Sequence, residues 1–236
     1  MALLGQAALV MWWNIEPAHR ADFEHWHAHQ HFPERLRIAG FRRASRWRQA
    51  DGGEGVLVAY ELRDHAVLSS PAYLAHLNAP TDWSRRMMPL HRDMVRGQCE
   101  VVRSRGAFVA GHLLALRLSP VDDRPDAVGP MVDGLRTLVD DPPTRPGLAG
   151  AHVLRHREPE IEQTTEQRIR GGDRSAGVVL LISGYDRDAL DAWSRDGLSP
   201  ERLAGIGASA SFRGLYSLAM SASPDDLADM PGITGQ

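Results

Sequence analysis

Four histidines lie within a short stretch near the beginning of the chain: His25, His27, His29 and His31. On an α-helix, which turns by about 100° per residue, they form two i,i+4 pairs on different sides. Phe23 and Trp26 mark the apolar side of that helix. His27 and His31 border this side, whereas the other pair lies on an arc that we expect to face solvent.

Three kinds of chemistry fit the pair His27 and His31. Structural histidines at a helix end bind loop carbonyls and gain from the helix dipole. An imidazole at the edge of an apolar pocket can instead act as a general acid or base. With Glu24 on the same face, the pair could also bind a divalent metal or haem, although no known metal-binding signature is complete. We predict His31 as the catalytic acid or base, His27 in support, and no cofactor, with haem or a divalent metal as the alternative.

Aromatic residues that could form a pocket are concentrated in the first half, which holds five of the six tryptophans. Small-molecule sites are commonly apolar with a few convergent polar groups, although such rings can also simply fill a core. Strand alternation places Trp12 on the opposite face from Trp13, so only one of them can line the pocket. The residues predicted to bind a substrate are Glu24, Trp26, Trp12, Asn14, Tyr60 and Trp83.

The elements of the first half follow the order βαββαβ. An apolar run at 7–15, bounded by breakers, predicts a strand, and Pro17 opens a helix that ends at about His31, before Pro33. The strands at 41–49 and 56–62 are predicted to form a hairpin. A short helix broken by Pro71 is predicted at 64–77, a proline-containing loop at 78–90, and a fourth strand at 99–105.

The second half repeats this order, and residues 177–180 echo residues 55–58. Its strands are predicted at 111–118, 148–155, 178–182 and 212–220, and its helices at 127–139 and 188–194. The histidine cluster is not repeated, so one active pocket and one degenerate copy are expected. The polar stretch 157–175 is predicted to be a mobile excursion, with solvated disorder favoured over a lid. A tail from residue 221 is predicted to be frayed.

Several short motifs resemble the dimeric α+β barrel superfamily, particularly its EthD-like and uncharacterised members. They are Phe23-Glu24-His25-Trp26, His31-Phe32-Pro33-Glu34-Arg35-Leu36, Gly40-Phe41, Ser70-Pro71-Ala72-Tyr73 and Pro80-Thr81 with Trp83-Ser84. The resemblance implies an α+β fold of two ferredoxin-like βαββαβ units packed sheet to sheet, here as a tandem duplication forming an intramolecular barrel. It also implies a ligand cavity between the helices and the sheet of a unit. We expect units at 1–106 and 107–222, with a flexible tail at 223–236.

The amino-acid composition limits the classes of partner that the protein can bind. The 236 residues include 27 basic and 30 acidic side chains, so no basic field is available to capture nucleic acid. Cys99 is the single cysteine, which excludes an intrachain disulfide and a thiolate zinc cluster and suits a cytoplasmic protein. The apolar stretch at 2–13 is too short to span a membrane. We expect a hydrophobic small molecule as partner, and a monomer with an internal pseudo-dimer or a homodimer.

These expectations favour a cofactor-independent enzyme of monooxygenase, cyclase or isomerase type that acts on a hydrophobic oxygenated or aromatic compound. The alternative is a non-catalytic ligand-binding or scaffold protein, including a haem- or metal-binding variant. The superfamily resembled contains several reaction types, so the fold leaves the reaction open.

Overall fold

Each half of the chain contributes one βαββαβ unit, as the alternation of apolar residues predicts. The structure is a computed structural model that describes residues 3–122, 124, 126–171 and 173–227. The first unit comprises β1 (Ala7–Asn14), α1 (Arg20–Trp26), α2 (Phe32–Leu36), β2 (Phe41–Gln49), β3 (Gly55–Leu62), α3 (Pro71–Asn78), α4 (Asp82–Met87) and β4 (Arg92–Gly106). The second comprises β5 (His112–Pro120), α5 (Val128–Leu138), β6 (Leu148–His156), α6 (Thr165–Arg170), β7 (Arg174–Ser175), β8 (Val178–Gly184), α7 (Arg187–Gly197), α8 (Pro200–Gly205) and β9 (Ala208–Ala222).

Two long strands join the units into a closed barrel. β4 and β9 have 15 residues each, and each pairs with one strand of its own unit and one of the other. β4 pairs with β1 and β6, and β9 pairs with β5 and β2. The strands therefore close a ring in the order β1-β3-β2-β9-β5-β8-β6-β4, with β7 attached to β4. The predicted fold, two ferredoxin-like units packed sheet to sheet in one barrel, is confirmed.

Strand alternation separates three apolar layers. In β1, Val10 and Trp12 point into the barrel, where they pack with residues of both units such as Leu181. Met11 and Trp13 point the other way, into the core between the first sheet and its helices. Cys99 lies inside the barrel as a free, buried thiol, and burial raises its pKa. Both faces of each sheet are thus covered within one chain.

The first helical region differs from the prediction because it continues past His31. A π-helical turn at His27–His31 follows α1, and α2 then runs to Leu36. Pro33 lies in the first turn of α2, where a missing N–H costs little, so this proline continues the helical path instead of stopping it.

Further local predictions in the chain are also wrong. Pro71 begins α3 rather than breaking a helix, because Ser70 caps it by accepting a hydrogen bond from the Tyr73 amide. The predicted loop at 78–90 contains α4, capped in the same way by Thr81. β4 begins at Arg92 instead of residue 99, since its early residues pair with β1. The predicted fray also starts too early: β9 reaches residue 222 and Leu227 is buried, while residues 228–236 lie outside the described part.

Candidate functional site

A small cavity lies between the helices and the sheet of the first unit, where the resemblance to barrel proteins predicts a ligand. Its volume is about 30 Å³, which is room for roughly one water molecule. Apolar side chains of β1, α3 and β4 form much of its wall, and polar side chains approach from the π-helical turn, α2 and α6. The lining residues are Leu9, Met11, Trp13, His27, His31, Arg35, Tyr60, Tyr73, Leu77, Met88, His91, Met94, Arg96, Glu166 and Arg170.

The π-helical turn presents both predicted histidines to this cavity. The imidazole centroids of His27 and His31 lie 5.3 Å apart, and the His31 ring packs 4.5 Å from the Trp26 ring. His29, two residues from His31, is exposed, as the helical angle predicts. π-turns are rare and frequently occur at functional sites, which agrees with a cluster of side chains held in place by local backbone geometry.

Burial keeps the imidazoles of this cavity neutral. It lowers the pKa of His27 and of His31 well below the usual value, and the positive charges of Arg46 and Arg35, respectively, lower them further. Burial of the ring nitrogens lowers the pKa of His91 to about 3. At neutral pH each ring therefore has one N–H donor and one acceptor nitrogen.

Several polar atoms around the cavity are buried with no hydrogen-bond partner in the part of the chain that the structure describes. They are Nδ1 of His27 and His31, both ring nitrogens of His91, the Tyr60 hydroxyl and the Trp13 Nε1. Buried polar groups are nearly always satisfied, because each unpaired one costs about 1–3 kcal/mol. Their convergence on one cavity indicates that a polar ligand atom or water completes the site.

A chain of buried ion pairs covers the cavity. Arg35 donates to Glu166 at 2.5 Å, and Arg170 lies 3.6 Å from the other oxygen of that carboxylate. Arg170 and Arg96 then share Asp173, at 2.9 and 3.1 Å. Three guanidinium groups against two carboxylates leave one net positive charge. Arg96 lines the cavity, and its Nε is buried without a partner among the described residues.

The stretch 157–175, predicted to be disordered, forms this cover, so that prediction is wrong for its described residues. Thr164 and Gln167 form a capping box at the start of α6, and Gly171 ends the helix in the left-handed conformation at φ 81°. Glu166 faces inward through its ion pairs with Arg35 and Arg170, and no apolar pattern in the sequence reveals such contacts.

The eight predicted site residues do not all meet. His27, His31 and Tyr60 line the cavity, and Trp26 supports His31 from behind while its Nε1 donates to Gln30 at 3.1 Å. The other four lie elsewhere. Glu24 forms an ion pair with Arg48, Trp83 packs beside His25, and Trp12 and Asn14 lie on the barrel side of β1. The roles of the residues that do line the cavity stay predictions.

Sequence reasoning missed the remaining polar residues of the site. Trp13 follows from the same alternation that placed Trp12, once the helix-covered face is known. Arg35 lies one helical turn after His31 and could have been found from that spacing. His91, Arg96 and Glu166 carry no comparable local signal, because they reach the cavity from distant segments.

No group of three or more His, Cys, Asp or Glu residues within the described ranges is arranged to hold a metal ion. Among the helices that the structure describes, none is both long and apolar enough to cross a membrane.

The comparisons with known proteins agree with this architecture. No family model matches the sequence, and no curated protein is similar to it in sequence. Among solved structures, an anthrone oxidase-like protein superposes with a TM-score of 0.60 at 12% identity, covering 95% of this chain and 96% of that one. A candidate monooxygenase from Fusobacterium nucleatum gives 0.57 at 8% identity, covering 94% and 96%. Another candidate monooxygenase, from Lactobacillus acidophilus, superposes with a TM-score of 0.55 at 11% identity, covering 93% of this chain and 97% of that one.

These similarities are too distant to carry an activity, but they span nearly the whole of each chain. Together with the closed ring of eight strands, they show that the chain has the dimeric α+β barrel fold, with two ferredoxin-like units joined in one polypeptide.

Proposed function

We propose that the first unit binds a hydrophobic, oxygenated or aromatic compound in the histidine cavity and catalyses a proton transfer on it without a cofactor. The observation that carries this proposal is the convergence of neutral, unpaired imidazoles on a cavity covered by a net positive arginine network. Support for a small-molecule site in such a barrel also comes from the similar structures, of which one is anthrone oxidase-like and two are candidate monooxygenases.

The reaction step follows from the charges. A neutral imidazole of His31 accepts a proton from a C–H next to a ligand carbonyl. The C–H electron pair forms a C=C bond while the π electron pair of the carbonyl moves onto its oxygen, which gives an enolate. The positive charges nearby lower the basicity of the free imidazole, but they stabilise the oxyanion that forms. Arg35 and Arg96 supply that stabilisation, and His27 orients the ligand.

An enolate is the common intermediate of the reaction types considered. Protonation of the enolate at another carbon is an isomerase reaction, and attack of the enolate carbon on a second carbonyl is a cyclase reaction. Addition of dissolved dioxygen, the oxidant, to the enolate carbon gives a hydroperoxide, and loss of water from this hydroperoxide leaves a new carbonyl group, which is a monooxygenase reaction. The site therefore defines the first step, and the substrate defines the next.

Ligand entry requires the cover to move. The cavity as it stands accommodates about one water molecule, far less than an aromatic ring. In the segment 157–175, Ile169 packs on the apolar core of the first unit and the buried ion pairs supply further contacts, so opening of the cover must break both.

Proton abstraction can be tested without knowledge of the natural substrate. We would follow exchange of the α-protons of 2-tetralone, a bicyclic ketone, in D₂O by proton NMR. The wild-type protein should accelerate exchange, and His31→Ala should lower the protein-dependent rate by on the order of 100-fold. The matched variant His29→Ala, two residues away and exposed, should stay within about twofold of wild type.

Two results separate the proposal from its alternative. Binding of 2-tetralone, detected by thermal stabilisation, without accelerated exchange would identify a ligand-binding protein instead of an enzyme. Exchange that is equally fast in wild type and His31→Ala would remove His31 from the mechanism.

A further inference from the structure

A second, larger cavity lies at one end of the barrel, outside the histidine site. Its volume is about 270 Å³, and it lies where β1 and β2 end and β3 and β4 begin. Its floor is made by Trp12, Phe212 and Tyr216, which belong to the apolar interior of the barrel. Trp13 contributes to the walls of both cavities and so marks the boundary between them.

Positive charge accumulates around this barrel-end cavity. Arg117 and Arg174 line it, and Asp93 is the one carboxylate among its described lining residues. Arg213 also contributes to the lining, but its guanidinium group donates to backbone oxygens at the end of α7. Asp93 does not form a salt bridge with any of them: its carboxylate accepts from Asn14 at 3.1 Å, and only its backbone oxygen is approached by Arg174. The guanidinium groups of Arg117 and Arg174 against one carboxylate leave one net positive charge around this concave surface, which favours an anionic ligand.

Arg117 is held in a geometry suited to a planar anion. Its guanidinium carbon lies 4.2 Å from the centroid of the Phe212 ring and 5.6 Å from that of Trp12. Stacking occupies the faces of the guanidinium group and leaves its N–H edge, which matches a carboxylate in a two-pronged arrangement. The Arg117 Nε is buried and has no partner within the described part of the chain.

The aromatic floor also contains a buried polar atom without a hydrogen-bond partner among the described residues. Trp12 is 4% exposed, and its Nε1 is buried with no acceptor among the described residues. An oxygen of a ligand that packs on the floor can accept this hydrogen bond. The volume, at the lower end of the range for small-molecule pockets, suits one or two fused rings.

We infer that the barrel-end cavity binds a small planar aromatic carboxylate, with its ring on the floor of Trp12, Phe212 and Tyr216 and its carboxylate against the Arg117 edge. Arg174 strengthens the attraction from the rim. This site is separate from the histidine cavity and does not depend on the function proposed there.

The test compares 1-naphthoate with the neutral, equally sized 1-naphthamide by isothermal titration calorimetry. Wild-type protein should bind the carboxylate at least tenfold more tightly. Arg117→Gln should weaken 1-naphthoate binding by about tenfold and leave 1-naphthamide binding within twofold. Arg42→Gln, which removes the same charge from an exposed position on β2, should change neither affinity.

A second variant covers the case in which Arg117→Gln does not fold. Arg174 is exposed, so Arg174→Gln leaves the core intact, and it should weaken 1-naphthoate binding by about threefold to fivefold. Equal affinities of wild type for the two compounds, or no binding of 1-naphthoate, would overturn the inference. A loss of 1-naphthoate binding in His31→Ala, with binding retained in Arg117→Gln or Arg174→Gln, would place the anion in the histidine cavity and overturn it as well.

Discussion

Removing the Glu166 carboxylate should release the cover of the histidine cavity. Its side chain is 5% exposed and contacts Arg35 and Arg170, whose side chains are 4% and 7% exposed. Glu166→Gln keeps the shape but removes the negative charge, so the net charge of the buried network rises from one positive charge to two. Loss of one partner of a buried ion pair costs about 3–5 kcal/mol.

The amide of glutamine can still accept one hydrogen bond from Arg35, so we expect a cost near the lower limit, about 3 kcal/mol. If the segment 157–175 opens before the barrel unfolds, this corresponds to roughly 150-fold faster amide exchange in α6. Hydrogen exchange with mass spectrometry would compare peptides covering 165–170 with peptides from the barrel strands, whose exchange should change much less.

Glu162→Gln is the matched control, because it makes the same substitution at an exposed position in the same segment. It should leave α6 exchange within about twofold of wild type. Similar acceleration in both variants, or no acceleration in Glu166→Gln, would refute the conclusion that the ion pairs hold the cover closed.

Two further outcomes follow from burial. Folding lowers the pKa of His91 to about 3, so below about pH 6.5 His91 is protonated in the unfolded protein but not in the folded protein. The folded protein therefore loses stability as the pH falls. Urea denaturation should show that His91→Gln reduces this loss by up to about 1.4 kcal/mol per pH unit between roughly pH 6 and 4, whereas His29→Gln should not. In the same assay at pH 7, Trp26→Ala should lower the free energy of unfolding by about 3–5 kcal/mol, because the Trp26 side chain is 0% exposed. Trp83→Ala should lower it by about 1 kcal/mol, because Trp83 is partly exposed. Equal losses in the two variants would contradict the packing described.

Periodicity was sufficient to predict the order βαββαβ in both halves, because strands and amphipathic helices leave local patterns. The packing of the two units into one barrel was predicted from the resemblance of short motifs to the dimeric α+β barrel superfamily. The helix angle also separated His27 and His31 from His29, because only the first pair borders the stripe of Phe23 and Trp26. Each of these inferences uses residues that are close in sequence.

The π-turn and the cover could not be predicted in this way. No local pattern distinguishes a π-turn from a continued α-helix. Proline usually ends a helix, so Pro33 predicted a helix end where the π-turn allows the helical path to continue. Arg35 and Glu166 are 131 positions apart, and their contact depends on how the second unit crosses the first. The segment that carries Glu166 looks polar because its inward residues are charged and meet opposite charges inside the protein. Polar composition alone predicts solvent exposure for such a segment.

The central claim is that the histidine cavity of the first unit binds a small organic ligand through His31. The most direct test is the dissociation constant of 2-tetralone, measured by isothermal titration calorimetry for wild type, His31→Ala and His29→Ala. A buried imidazole that pairs with the ligand predicts a loss of about 1–3 kcal/mol of binding free energy in His31→Ala, and less than about 0.5 kcal/mol in His29→Ala. Equal losses in the two variants, or a larger loss in His29→Ala, would contradict the assignment of the binding site to this cavity.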